Sequence, residues 1–242
     1  MPDAELARIY AALETASTGG VDPQRLAQET ATLRSAEGGG AVALPFSEPY
    51  GSIRLVAAPV RPSEDTLRCV LDAREAVLKC LASSGAVFQT PVHQLHLTVW
   101  HFGRPGDSRP ADAAVIDAER AALASLLADF QPFVLTIDRL QLSDSGVLIL
   151  LYQTHDGAPL MLREKLRAAF PESPVKQTVI LHSSLARLLQ VPGVEELAAA
   201  RHACRSATEV LHGRSIRIAS VYHVVERSLP IDGELVELPL GE

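Results

Sequence analysis

The sequence is poor in the residues that would mark several function classes. Three cysteines, Cys69, Cys80 and Cys204, stand among 242 residues. They lie in helix-like segments and lack the paired spacing of a zinc site or a disulfide framework, which points to free buried thiols in a reducing compartment. No apolar run reaches the roughly 18 residues of a membrane span. The opening Met1-Pro2-Asp3-Ala4-Glu5 is acidic where a secretory leader is basic, so the expectation is a soluble intracellular protein, most simply cytoplasmic, with no membrane partner. Basic residues are also in deficit: 22 Lys and Arg against 29 Asp and Glu give a net charge of −7. A protein that holds long nucleic acid carries a basic stripe, and this chain has none, so the fitting ligand is a small nucleotide or an RNA end. What is abundant is apolar: 47% of residues are hydrophobic, enough for a sizeable globular core.

Against that background one short pattern occurs twice. Leu95-His96-Leu97-Thr98-Val99 is followed, 86 residues later, by Leu181-His182-Ser183-Ser184-Leu185. On a strand, side chains alternate faces, so each copy aims an imidazole and a hydroxyl at one space while its aliphatics point the other way. Either copy alone reads most plainly as a strand-end histidine packed at the rim of a core. As a pair in matching contexts they supply two groups that titrate near neutrality and two neutral donors for an anionic oxygen, the equipment for phosphodiester chemistry without a metal or cofactor.

The periodicity sets these motifs in an α+β chain. Residues 3–36 read as two helices, the second opened by Asp22-Pro23, and end at Gly38-Gly39-Gly40; a Pro-rich stretch from Leu44 to Pro49 follows. Residues 1–44 are therefore expected to form a helical N-terminal extension, open to a protein partner. Residues 45–242 would form a two-lobed domain. There the order of strand, helix, motif strand and helix repeats, with strands expected at 53–60, 94–102, 133–142, 146–153, 178–189, 215–227 and 234–238. Helices are expected near 66–81, 111–128, 159–169 and 194–211. The repetition suggests a bilobal, duplicated fold in which two antiparallel sheets face a central cleft with helices on their outer faces.

Leu-His-Leu-Thr-Val with the following Phe102-Gly103, and Leu-His-Ser-Ser-Leu-Ala-Arg, resemble the paired signatures of the two-histidine phosphoesterase superfamily. That group contains RNA 2′-5′ ligase-like proteins and cyclic nucleotide phosphodiesterases. The resemblance implies a bilobal α+β fold, metal-independent action on 2′,3′-cyclic phosphates, 2′-5′ linked nucleotides or RNA ends, and catalytic roles for His96, Thr98, His182 and Ser184. The chain departs from the pattern at Ser183, where an apolar residue is usual, at Ser184 in place of threonine, and at the aromatic pair Trp100-His101.

Trp100 and Tyr222 are the aromatic faces that would bind a base in the cleft, with His223 beside Tyr222 as a further lining residue. Strict alternation sets His101 on the face opposite His96, which argues against a metal held by His93, His96 and His101. The same rule turns Arg187 away from His182, toward an ion pair that braces the sheet. A non-catalytic nucleotide-binding or scaffold module of the same fold is the alternative function, less favoured because a binder has no need of both titrating groups.

Overall fold

The computed structural model describes residues 2–36, 40–81, 85–105 and 110–241; Gly38 and Gly39 of the expected glycine linker lie outside them. Helix α1 (Pro2–Thr18) and helix α2 (Pro23–Glu29) open the chain. Asp22 caps α2 by accepting from the Gln24 N–H at 2.8 Å, with Pro23 in the first turn. A short antiparallel hairpin follows, β1 (Leu33–Ser35) with β2 (Ala41–Ala43). Its strands are too short for a periodicity signal, and the sequence reading missed it.

The main fold runs β3 (Arg54–Pro59), α3 (Glu64–Lys79), β4 (Val87–Gln89), β5 (His96–Gly103), α4 (Ala113–Leu127), β6 (Phe133–Leu142) and β7 (Val147–Gln153). It continues through α5 (Ala158–Ala169), β8 (His182–Leu188), α6 (Val194–Leu211), β9 (Ser215–Ile218), β10 (Ser220–Ser228) and β11 (Asp232–Pro239). Ser63 and Asp112 cap α3 and α4 through their side-chain oxygens. The β6–β7 hairpin closes on Ser143-Asp144-Ser145, and Gly146 supplies the positive φ of 77° that ends the turn.

Two antiparallel sheets result. One has the order β11-β10-β3-β5 and the other β4-β8-β7-β6-β9. The first motif therefore lies on an edge strand, β5, and the second on an interior strand, β8. The single strand expected over 215–227 is in fact two strands in different sheets. Ile216 and Ile218 of β9 face the core beside β6, the chain breaks step at Ala219, and β10 then joins β3. One hydrophobic cluster spans the sheets and their outer helices and includes Leu97, Val99, Leu185 and Leu188. Leu6, Tyr10, Val21 and Leu26 belong to the same cluster. The N-terminal segment is thus packed into the main core: the Tyr10 hydroxyl donates to the Tyr152 carbonyl at 2.6 Å and accepts from the Leu181 N–H at 3.2 Å, one residue from His182.

Candidate active site

Each motif strand carries a one-residue bulge three places after its histidine. In β5, Thr98 pairs with Ala57 while Trp100 pairs with Val56, so Val99 is the extra residue. In β8, Ser184 pairs with Ile149 while Ala186 pairs with Leu148, so Leu185 is extra. A bulge inverts the facing of everything beyond it. Histidine and hydroxyl keep the cleft face in both strands, two apolar residues (Val99 and Trp100, Leu185 and Ala186) turn inward, and the residue five places after the histidine returns to the cleft. In β5 that residue is His101 and in β8 it is Arg187.

His96, Thr98, His182 and Ser184 accordingly line one cleft of about 330 Å³, joined by His101, Arg104, Arg187, Glu29 and Glu226. Two expectations are corrected by the bulges. His101 shares the cleft with His96 and His182, and Arg187 faces it too, although its ion-pair partner exists: its guanidinium bonds the Glu29 carboxylate of α2. His93 is exposed in the turn before β5, and no group of three or more His, Cys, Asp or Glu among the described residues is arranged to hold a metal ion.

The edge of β5 is sealed by groups that also hold β8. Arg163 of α5 is only 6% exposed. It donates to the carbonyls of Thr98 (3.1 Å) and Val99 (3.1 Å) on one side and of Val179 (2.9 Å) and Ile180 (3.0 Å) on the other. It thereby satisfies the two carbonyls at the Val99 bulge and ties them to the segment entering β8. Gln177 pairs with the backbone of His101 like a strand partner, accepting from its N–H at 2.9 Å and donating to its C=O at 3.0 Å. Ser183, the odd polar residue of the second motif, is buried and functions as a rivet: its hydroxyl donates to the His96 carbonyl at 2.7 Å and accepts from Tyr152 at 2.9 Å.

Burial governs protonation in the cleft. It pulls His96 down to about 4, Arg187 adding to the effect, while the Gln94 carbonyl, 2.9 Å from Nδ1, works the other way. That contact fixes Nδ1 as the protonated nitrogen of neutral His96 and leaves Nε2 free to accept. His182 is pulled down to about 3 by burial, then by Arg187 and His96. Its counterpart carbonyl, Ile180, favours the charged form in the same way but is also engaged by Arg163, and His182 Nδ1 makes no hydrogen bond of normal geometry. His101 falls to about 3 through burial and the charge of Arg104. Burial lifts Glu226 to about 7 against the pull of the Ile231 N–H and Arg187. At neutral pH the cleft thus holds three uncharged imidazoles.

The family model of the 2′-5′ RNA ligase superfamily matches residues 78–212, more than half the chain and both motifs. The chain belongs to the 2′-5′ RNA ligase superfamily. Its fold is shared with a protein of unknown function, ATU0111 from Agrobacterium tumefaciens (TM-score 0.60, 16% identity, covering 91% of this chain and 99% of that one). It is shared with Usb1 of Kluyveromyces marxianus (0.56, 12%, covering 79% and 99%). TT0787 of Thermus thermophilus is similar as well (0.54, 18%, covering 78% and 99%). No curated protein sequence matches the chain.

In this superfamily member the aromatic expectations require correction. Trp100 is 2% exposed, its indole N–H donating to Ser173 at 3.0 Å, because the Val99 bulge turns it into the core; it cannot stack a base. Tyr222 lies on the cleft side of its sheet, in the cross-strand row Thr98–Ala57–Tyr222, but outside the cleft lining, with its hydroxyl bonded to Arg61. His223 points to the other face and is fully buried beside Glu119, 3.2 Å from Nε2. His101, Arg187, Arg104, Glu29 and Glu226 are cleft residues that sequence reasoning missed. For the first two the signal was present: a polar residue five places after each motif histidine, in both copies.

Proposed function

We propose that the chain is a metal-independent phosphodiesterase acting on 2′,3′-cyclic phosphates, 2′-5′ linked nucleotides or RNA ends. The observation that carries this reading is the convergence of two His-x-hydroxyl pairs, from strands of separate sheets, on one cleft. One imidazole takes a proton from water as the water oxygen bonds to phosphorus. The other, protonated, gives its proton to the departing ribose oxygen as the second P–O bond breaks. Thr98 and Ser184 donate to the non-bridging oxygens, whose charge grows in the transition state, and their contribution is electrostatic positioning. A solved structure of Kluyveromyces marxianus Usb1, a protein of the same fold, was determined with uridine monophosphate, which is in keeping with a nucleotide-sized ligand.

Both histidines are neutral in the cleft at pH 7, yet the mechanism needs one charged. An anionic phosphate beside them raises their proton affinity, so substrate brings its own acid into being by proton uptake. The test is phosphorus NMR of the protein in EDTA with 2′,3′-cyclic mononucleotides and a 2′-5′ linked dinucleotide, beside the H96A/H182A double variant. Conversion by the wild type alone supports the reading, and the phosphomonoester formed identifies the bond broken. Binding without conversion favours a non-catalytic nucleotide-binding module.

A further inference from the structure

Of the two guanidinium groups that line the cleft, Arg104 and Arg187, the second is already engaged. Arg187 lies on the cleft face of β8, three residues beyond Ser184, and only 14% of its side chain is exposed. Its guanidinium bonds Glu29, whose side chain is 44% exposed and itself lines the cleft. Glu29 is the last residue of α2, so this carboxylate comes from the N-terminal segment and from neither motif. Two anchors hold α2 in place independently of that contact: Leu26 is buried in the main core, and Arg25 pairs with Asp144 of the β6–β7 turn. The carboxylate is therefore presented to the cleft by a helix that has other reasons to be there.

Hydrolysis of a phosphodiester changes the charge that the cleft must hold. A diester carries one negative charge, whereas the monoester product, whose second ionisation falls near pH 6, carries nearly two at neutral pH. We propose that Glu29 is a specificity-determining residue that makes the cleft discriminate between singly charged diester and doubly charged monoester, disfavouring the product and hastening its release. The proposal rests on the phosphodiesterase reading of the same cleft. Glu29 meets the extra product charge with a like charge, and it denies that charge one of the cleft's two guanidinium groups. A substrate diester loses less, because it brings half the charge and is engaged chiefly by the neutral donors Thr98 and Ser184.

The test compares wild type and E29Q for two ligands alike in base and ribose: a 2′,3′-cyclic mononucleotide and the corresponding 3′-mononucleotide. The cyclic compound is read as KM or, where it is not turned over, as Kd by calorimetry; the monoester is read as a product inhibition constant or Kd. The expected result is that E29Q tightens the monoester roughly threefold to tenfold more than the diester, the size of one unit charge felt across a partly solvated cleft. That differential should shrink as salt is raised from 50 to 500 mM. A purely structural latch between α2 and β8 would move both ligands by one factor with no salt dependence, and that outcome overturns the proposal. Absence of turnover in wild type would defeat the hydrolase reading, while the ratio of the two Kd values still decides the role of Glu29.

Discussion

Replacing Arg163 with methionine should be among the most damaging single changes outside the cleft. The guanidinium makes four hydrogen bonds of 2.9–3.1 Å to backbone carbonyls, two on each motif strand's side. Bonds from a charged donor contribute about 1.5–3 kcal/mol each, so the gross loss is about 6–12 kcal/mol. Against this stands the cost of burying the charge. Burial draws the Arg163 pKa down to about 10, which corresponds to a penalty on the order of 3 kcal/mol that methionine escapes. Partial rehydration of the freed carbonyls reduces the loss further, leaving a net destabilisation of about 3–6 kcal/mol. For a chain of this size each kcal/mol moves Tm by about 2–4 °C, so calorimetry should record a fall of roughly 6–24 °C. Arg163→Lys, which keeps the charge but loses the fork, should fall between. A Tm within about 2 °C of wild type for Arg163→Met would refute the view that this side chain seals the β5 edge.

Three further outcomes follow from the same contacts. Ser183→Ala strands the Tyr152 hydroxyl and the His96 carbonyl, and urea denaturation should show a loss of about 1–3 kcal/mol; an unchanged midpoint would contradict the rivet. His96 and His182 titrate below their unfolded value of 6.5, at about 4 and about 3, so the unfolded chain binds protons first and stability falls as pH drops through 6.5 toward 4. Between pH 7 and pH 5 each should account for about 2 kcal/mol, and a H96Q/H182Q variant should lose that slope. Binding of a phosphate monoester at pH 7 should take up a fraction of a proton, seen as a buffer-dependent calorimetric enthalpy; identical enthalpies in phosphate-free buffers of different ionisation heat would count against acid formation on binding.

The motifs were legible because they sit on long, apolar strands where alternation has few rivals, and the cleft does gather His96, Thr98, His182 and Ser184. The helices were legible for a similar reason, since their apolar spacing runs over several turns, and at α2 the Asp22-Pro23 pair marks the start as well. Alternation failed at Val99 and Leu185, since an inserted residue in a run of aliphatics leaves no mark on the pattern. The first of these bulges misplaced Trp100 and His101, and the second misplaced Arg187. Arg163 and Glu29 were invisible for another reason, because their partners lie far along the chain and nothing local distinguishes them from any helical Arg or Glu. Ser183 looked like a departure from a family pattern; it is a hydrogen-bonded link between the two motif strands.

The most direct measurement is kcat/KM on a 2′,3′-cyclic mononucleotide for wild type, H96A, H182A and the double variant, each checked for folding by thermal melt. If the two imidazoles act as acid and base on one phosphate, each single variant loses turnover by orders of magnitude and the double variant loses little more. Either single variant retaining wild-type turnover, or losses that simply multiply, would contradict a two-histidine mechanism.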